Sequence, residues 1–163
     1  MVDEVDQKFL RTVISSILAK MTGYSLMQMH GQGIPVGISN RHLHLSKADL
    51  EKLFGTGYQL RPKRPLSQPG EFAAEETVTI VGPKGCLEKV RILGPVRSAT
   101  QIEVSRTDAY RLGLNPPLRE SGKIQASSPV TLVGPEGSIY LKEGLIIAQR
   151  HIHMTPDDAA NFG

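Results

Sequence analysis

The sequence predicts a mainly β protein with short helices, in which two small related β-barrel domains pack together behind an N-terminal amphipathic helix. The first reason is composition. The 163 residues include 16 glycines and 11 prolines but no tryptophan, which favours short strands and tight turns over a helical bundle. The second reason is repetition, because two kinds of segment each occur twice. Duplicated β units of this length suggest two packed barrels.

The N-terminal segment is a predicted helix followed by a linker. Apolar residues recur at helical spacing between Asp3 and Lys20, so one face is apolar and the opposite face is polar. Gly23 ends this pattern, and we assign residues 1–22 to the amphipathic helix and residues 23–33 to the linker. The helix either packs on its own domain or docks on a partner, and the mixed charges of its polar face disfavour a membrane surface.

Residues 34–117 form the first predicted barrel region, which contains both kinds of segment. One is an apolar strand, a histidine pair and a helix capped by Ser46. The other is the hairpin V-T-I-V-G-P-K-G, which begins at Val78. The predicted elements are strand Ile34–Ile38, helix Lys47–Phe54, strands Thr77–Val81, Leu87–Leu93 and Thr100–Ser105, and helix Thr107–Leu112 with Ser105 or Thr107 as its cap.

Residues 118–163 form the second predicted barrel region and repeat this plan. V-T-L-V-G-P-E-G, which begins at Val130, differs little from the hairpin at Val78. Leu145–Ala148 is an apolar strand that leads to a second histidine pair, and Thr155, followed by proline, opens a capped helix. The two regions therefore share one sequence plan, on which the prediction of related barrels rests.

Two short phrases place histidines in pairs. N-R-H-L-H-L-S contains His42 and His44, and Q-R-H-I-H-M-T contains His151 and His153. Residues i and i+2 of an extended strand point to the same face, so each phrase sets two imidazoles side by side. Neutral imidazole is a common ligand of zinc and similar metals. A single such pair also occurs as solvated strand residues, but two copies with the same neighbours predict a metal site between the barrels.

Charge and cysteine content exclude several classes of protein. The net charge of +3 fits an anionic small substrate and is too small to indicate nucleic-acid binding. The only cysteine, Cys86, has no partner for an internal disulfide, so we expect a reducing compartment. The sequence shows no apolar run of membrane-spanning length and no secretory signal pattern. Neither nucleic acid nor a membrane is therefore an expected partner.

Five stretches of the sequence are distinctive. They are P-V-G-I-S-N-R-H-L-H-L-S (Pro35–Ser46), Q-P-G-E-F-A-A-E-E-T-V-T-I-V-G-P-K-G (Gln68–Gly85), V-R-I-L-G-P-V-R-S (Val90–Ser98), E-V-S-R-T-D-A (Glu103–Ala109) and Q-R-H-I-H-M-T-P (Gln149–Pro156). These stretches resemble the PduL-type phosphate propanoyltransferases, which are the phosphotransacylases of bacterial microcompartments. The resemblance runs from about Gln7 to the last residue.

This resemblance implies two β-barrel domains around a site for two zinc ions, and the exchange of phosphate and coenzyme A on a short acyl group. The implied metal ligands are His42, His44, Glu103, His151 and His153. Arg97 matches the phosphate-binding arginine. The positions that match the coenzyme A pocket are Ser39, Arg64, Arg91 and Leu93.

The resemblance also implies a location and partners. The enzyme would work in the lumen of a bacterial microcompartment during propanediol degradation, or otherwise in the cytoplasm. Its N-terminal helix would contact the shell or another cargo enzyme. Members of the family continue beyond the position of Gly163, so we expect a truncated chain or a fragment, with an incomplete second barrel and without a further histidine ligand. The missing ligand and strands would then lower the activity, and open strand edges would favour homo-oligomers or aggregation.

The residues suit direct transfer of an acyl group. Phosphate can attack a thioester carbonyl without a covalent enzyme intermediate, and no Ser-His-Asp or Cys-His order is evident. Zinc would stabilise the charge on the carbonyl oxygen, and Arg97 offers phosphate a bidentate donor. Two alternatives remain open. One is a metal-dependent hydrolase, although that class needs a (β/α)₈ barrel of about 250 residues. The other is a non-enzymatic scaffold stabilised by a fully coordinated zinc within a larger assembly.

Overall fold

The computed structural model describes residues 37–39 and 41–162. The predicted amphipathic helix and linker lie outside the described residues, as does most of the predicted strand Ile34–Ile38. The described elements belong to the compact unit Ser39–Gly163. They are β1 (His42–His44), α1 (Lys47–Phe54), β2 (Pro62–Pro65), β3 (Phe72–Gly82), β4 (Gly85–Gly94), β5 (Gln101–Glu103), α2 (Arg106–Leu112), β6 (Leu118–Arg119), β7 (Ser128–Val133), β8 (Ser138–Ala148) and α3 (Pro156–Phe162). The prediction of a mainly β protein with short helices is confirmed.

Six strands close into one barrel. Their order is β3-β4-β1-β5-β8-β7, and β7 pairs again with β3. β2 and β6 lie outside this ring, on β3 and β8. Each strand of the ring has a partner on both sides, so the ring itself leaves no open edge.

In the part of the chain that the structure describes, no helix is long and apolar enough to cross a membrane.

The ring consists of two interleaved halves. Each half runs from a short strand through a serine-capped helix to a hairpin: β1-α1-β3-β4 and β5-α2-β7-β8. Within a half, the short strand pairs in parallel with the last strand of its hairpin. Between halves, β1 pairs antiparallel with β5, and β3 pairs antiparallel with β7. The two hairpins that we predicted for separate barrels therefore share one barrel.

The pairing of the hairpins explains this difference from the prediction. Three residues of β3, Thr79 to Val81, pair with Thr131 to Val133 of β7, so each hairpin supplies the edge that the other needs. A sequence repeat shows that two units are alike but not that they associate within one ring. Residues 118–163, predicted as the second barrel region, contribute β7 and β8 to this ring, and β6 pairs with β8 outside it. The described residues do not support a second barrel.

The Gly-Pro-X-Gly turns cap the helices of the opposite half. A Cβ atom on Gly82 would lie 2.4 Å from the carbonyl oxygen of Leu112, at the end of α2. On Gly134 it would lie 2.5 Å from the carbonyl oxygen of Leu53, near the end of α1. The backbone N–H two residues after each glycine donates to that same oxygen at 3.0 Å. The last carbonyl groups of a helix lack partners within it, so each turn satisfies one of them.

The barrel interior is apolar. Alternate residues of the strands point into it, and the helices cover its ends with leucine and alanine side chains. The buried side chains include Leu43, Leu50, Leu53, Ile80, Leu87, Ile92, Ile102, Ala109, Leu112, Leu132 and Leu145. Residues of opposite alternation point outward, which brings the polar side chains of β1, β4 and β5 to one outer face.

Candidate functional site

The central feature of the outer face is the β1-β5 ladder. His42 lies opposite Glu103, and His44 lies opposite Gln101. Leu43, between the two histidines, is fully buried in the core. Side chains alternate between the two faces of a sheet, so the four polar side chains form a square on the outer face. The sequence correctly predicted that His42 and His44 lie side by side.

His44 is an almost fully buried member of this square. Its side chain is 3% exposed, and its Nδ1 has no hydrogen-bond partner in the parts of the chain that the structure describes. Burial, and then electrostatic interactions with Arg97 and His42, lower the pKa of His44 to about 3, while a hydrogen bond with the backbone of Leu93 acts in the opposite direction. The imidazole is therefore neutral at physiological pH, which is the form that binds metals.

The donor types of the square fit a zinc ion. Two imidazoles and the carboxylate of Glu103 share one face. The buried Nδ1 of His44 has no hydrogen-bond partner among the described residues, as expected of a nitrogen that binds a metal ion. His42 Nε2 lies 3.4 Å from Glu103 Oε2. Within the described ranges, however, no three His, Cys, Asp or Glu side chains converge to hold a metal ion. The residue chemistry suits zinc, while a closed coordination shell is not formed.

The second histidine pair lies after the end of β8. His151 and His153 are exposed and lie in irregular chain rather than in the extended strand that we predicted. Their Nε2 atoms are 2.9 Å apart, and the Nδ1 of His153 lies 2.7 Å from the amide nitrogen of Gln68, in the loop between β2 and β3. Within the described ranges the four histidines do not form one metal group. Their shared role as ligands stays a prediction.

Arg97 lies beside the first histidine pair. Its backbone N–H donates to the carbonyl oxygen of Leu45 at 2.9 Å, and its charge contributes to the lowered pKa of His44. Its guanidinium Nη2 forms a 2.9 Å ion pair with Glu71 Oε1. Sequence reasoning missed Glu71, because the two residues are 26 positions apart and no local pattern joins them.

Three of the residues assigned to the coenzyme A pocket lie on neighbouring strands. Ala73 of β3 pairs with Arg64 of β2 on one side and with Leu93 of β4 on the other. Arg91 precedes Leu93 by two residues on β4 and pairs with His42 of β1. The structure therefore brings these three residues onto the surface beside the first histidine pair. Ser39 is exposed and lies outside the strands.

Arg91 is fixed at an irregularity of β3. Its Nη1 donates to the carbonyl oxygens of Ala74 and Glu75, at 3.0 and 2.7 Å. The β3-β4 register shifts between Ala73 and Thr77, so the bulge turns these carbonyls away from the ladder. Nη1 of Arg91 therefore stabilises the bulge of β3 through these hydrogen bonds.

Glu76, in the same bulge, anchors the approach to β2. It is 5% exposed and accepts hydrogen bonds from the Tyr58 hydroxyl at 2.9 Å and from the backbone and side chain of Arg61 at 3.1 and 3.0 Å. Burial opposes ionisation, but these hydrogen bonds outweigh it and lower the pKa of Glu76. Arg61 immediately precedes β2, which carries Arg64. Sequence reasoning missed this carboxylate, since a glutamate in a strand gives no local sign of burial.

Comparison with known proteins agrees with the resemblance. Residues 35–163 match the family model for phosphate propanoyltransferase. A phosphate propanoyltransferase of Priestia megaterium is 61% identical over 155 residues, which are 94% of this chain and 71% of that protein. One of Thermotoga maritima is 59% identical over 131 residues, which are 80% of this chain and 62% of that protein. One of Rhodopseudomonas palustris is 46% identical over 168 residues, covering 98% and 74%.

These relatives are longer than this chain. The matched segments span 62%, 71% and 74% of the three relatives, in the order Thermotoga, Priestia and Rhodopseudomonas. The family match nevertheless covers most of this chain, from residue 35 to residue 163, and includes the whole barrel and both histidine phrases. The chain therefore belongs to the phosphate propanoyltransferase family.

Proposed function

We propose that this chain supplies much of the active site of a phosphate acyltransferase, which converts an acyl-CoA and phosphate into an acyl phosphate and coenzyme A. The observation that carries the proposal is the row that Arg91, His42 and Glu103 form across β4, β1 and β5. Arg97 adds a further cation next to His44. Arginine side chains that can bind anionic substrates therefore lie beside imidazole and carboxylate groups that can bind a metal ion. The family membership supports the same activity.

The proposed reaction is a direct displacement. A phosphate oxygen attacks the thioester carbonyl carbon, a C–O bond forms, and the C–S bond breaks with release of the coenzyme A thiolate. Arg97 binds the phosphate, Arg64 and Arg91 bind the nucleotide phosphates of coenzyme A, and Leu93 and Ser39 line its pocket. Holding both substrates together removes much of the entropic cost of their encounter.

Zinc is the proposed cofactor, with two ions per complete site. His42, His44 and Glu103 would hold zinc on the outer face of the barrel, and His151 and His153 would complete the site. When bound, zinc would act as a Lewis acid towards the carbonyl oxygen, where negative charge develops. The neutral state of His44 supports this assignment, because a protonated imidazole cannot bind a metal.

The test is release of coenzyme A from acetyl-CoA and from propanoyl-CoA, with and without phosphate. It should be run on this chain and on a version extended to the length of its relatives. A phosphate acyltransferase releases coenzyme A only with phosphate and forms an equal amount of acyl phosphate. Release without phosphate would indicate the hydrolase alternative. Absence of release from the extended version, with zinc bound, would support the scaffold alternative.

We also propose that the N-terminal helix, residues 1–22, is an address for a bacterial microcompartment, through contact with the shell or another cargo protein. The support is its predicted apolar face together with the linker that follows it. Deletion of residues 1–22 should leave zinc binding intact and abolish targeting of a fused reporter. A large fall in melting temperature with targeting retained would show instead that the helix belongs to the folded unit.

The elution volume of this chain in size-exclusion chromatography would show whether it forms a homo-oligomer.

A further inference from the structure

We propose that Gln101 is a positioning residue that fixes the carboxylate of Glu103 for metal binding. The inference rests on the proposed zinc site and adds a role for a residue that neither the sequence pattern nor the metal chemistry singles out. Gln101 occupies the fourth corner of the square on the outer face, opposite His44 and two positions before Glu103 on the same strand. It is the one corner whose side chain is not a zinc ligand in the proposed site.

Gln101 is buried and its amide is fully used. Gln101 is only 3% exposed to solvent. The amide nitrogen donates to Glu103 Oε1 at 2.7 Å and to the hydroxyl of Ser121 at 2.9 Å. The amide oxygen accepts from the backbone N–H of Gly122 at 2.6 Å. Each polar atom of the side chain therefore has a defined partner.

These partners fix which way the amide points. A backbone N–H only donates, so the group facing Gly122 must be the amide oxygen. The NH₂ group must then face the carboxylate of Glu103. A flipped amide would set two acceptors against each other at Glu103 and two donors against each other at Gly122. The turn at Ser121 and Gly122 thus orients Gln101, and Gln101 orients Glu103.

The consequence for Glu103 is that its two oxygens have different roles. Oε1 is held by Gln101, while Oε2 lies 3.4 Å from His42 Nε2, on the side of the histidine pair. Glu103 is 6% exposed, so few waters compete for either oxygen. A hydrogen bond to the far oxygen of a ligating carboxylate fixes its rotamer and reduces the ordering that metal binding requires. Loss of such outer partners typically lowers metal affinity about 10–100-fold.

A neutral amide suits this corner better than a charged group. A second carboxylate beside Glu103 would raise the repulsion between like charges and favour protonation of one of them. A lysine would form an ion pair with Glu103 and compete with the metal for it. Glutamine donates a hydrogen bond without adding charge, so it neither repels the carboxylate of Glu103 nor forms an ion pair with it.

The test compares Gln101→Met with Thr100→Val in the full chain. Methionine keeps the length of the side chain but removes both hydrogen-bonding groups. Thr100 is also buried, at 5% exposed, and its hydroxyl bonds to Asp49 at 2.7 Å and to the backbone N–H of Ser46 at 2.9 Å. Thr100→Val therefore removes a neighbouring buried network that does not touch Glu103. The zinc dissociation constant is measured by competition with a chromophoric chelator, and the melting temperature of each metal-free protein is measured separately.

We expect Gln101→Met to raise the zinc dissociation constant about tenfold or more, and Thr100→Val to leave it unchanged while lowering the melting temperature. If Gln101→Met does not fold, Gln101→Asn replaces it, because the shorter amide is drawn back from Glu103, and the same rise is expected. A variant of Gln101 that binds zinc as tightly as the parent protein would overturn this inference alone. Zinc affinity that survives His42→Ala with His44→Ala would overturn the proposed site, and the inference with it.

Discussion

Glu71 and Arg97 form an ion pair, with 2.9 Å between Glu71 Oε1 and Arg97 Nη2. The carboxylate comes from the end of the loop that precedes β3, and the guanidinium from the segment between β4 and β5. The pair uses one of the three guanidinium nitrogens of Arg97. The guanidinium is therefore held near His44 and keeps further N–H groups for a second anion.

Arg97→Lys should impair phosphate binding selectively. The planar guanidinium of Arg97 can bind Glu71 through one nitrogen and phosphate through the others. A lysine ammonium is a single point charge, so a lysine that pairs with Glu71 cannot also offer phosphate a bidentate contact. We expect the KM for phosphate to rise by about tenfold and the KM for acyl-CoA to change much less, as measured by steady-state kinetics of the extended version. Arg91→Lys is the matched control and should affect acyl-CoA more than phosphate. Equal effects of Arg97→Lys on both substrates would remove the phosphate role.

Replacing His42 and His44 together by alanine should lower bound zinc and abolish acyl transfer. Both imidazoles lie on one face, and His44 is neutral because its pKa is lowered to about 3. Metal content after dialysis is measured by elemental analysis. His30→Ala is the control, because it removes a histidine outside the two paired phrases and should leave the zinc content unchanged. Unchanged zinc in the double variant would refute the assignment.

Gly82→Ala and Gly134→Ala should each destabilise the barrel. A Cβ atom would lie 2.4 or 2.5 Å from a helix carbonyl oxygen, which forces the turn away from the helix that it caps. We expect the free energy of unfolding to fall by about 1–3 kcal/mol in each variant, measured by urea denaturation. Gly37→Ala is the control, since among the described residues, its chain neighbours aside, no heavy atom lies within 4 Å of its added Cβ. Equal stability of all three variants would contradict the capping role of the turns.

Glu76→Gln should lower stability at neutral pH and weaken the acid sensitivity of the fold. The pKa of Glu76 is lowered from its ordinary 4.5, because its hydrogen bonds from Arg61 and Tyr58 outweigh the opposing effect of burial. A lowered pKa means that ionised Glu76 stabilises the fold fully above pH 4.5, and that this stabilisation is lost as the pH falls through the folded-state pKa. We expect the free energy of unfolding to fall by roughly 1–3 kcal/mol near pH 7, with a smaller difference from the parent protein in acid.

The matched control for Glu76 is Glu75→Gln. Glu75 also pairs with Arg61, at 3.3 Å, but its side chain is 49% exposed. Solvent screens such a pair, so its loss should change the free energy of unfolding by less than about 1 kcal/mol at any pH. Denaturant unfolding at several pH values measures both variants. Parallel pH profiles for Glu76→Gln and the parent protein would show that Glu76 is not the acid-sensitive group.

The sequence by itself determined the local features of this protein. The Ser46 cap and the helix Lys47–Phe54 follow from side chains within one turn of each other, and both are confirmed. The helix after β5 begins at Arg106 with Ser105 as its cap, one of the two caps that the sequence allowed. The side-by-side placement of His42 and His44 follows from the two-residue period of a strand. Each of these features depends on residues close together in the chain.

Only the tertiary structure decided how the repeated units associate and which polar groups meet. The two hairpins share one barrel because β3 and β7 complete each other's edges, a choice that two nearly identical hairpin sequences do not encode locally. The contacts of Arg97 with Glu71 and of Gln101 with Gly122 join residues 26 and 21 positions apart. Such contacts arise from the path of the chain around the ring, and no periodicity or spacing in the sequence records that path.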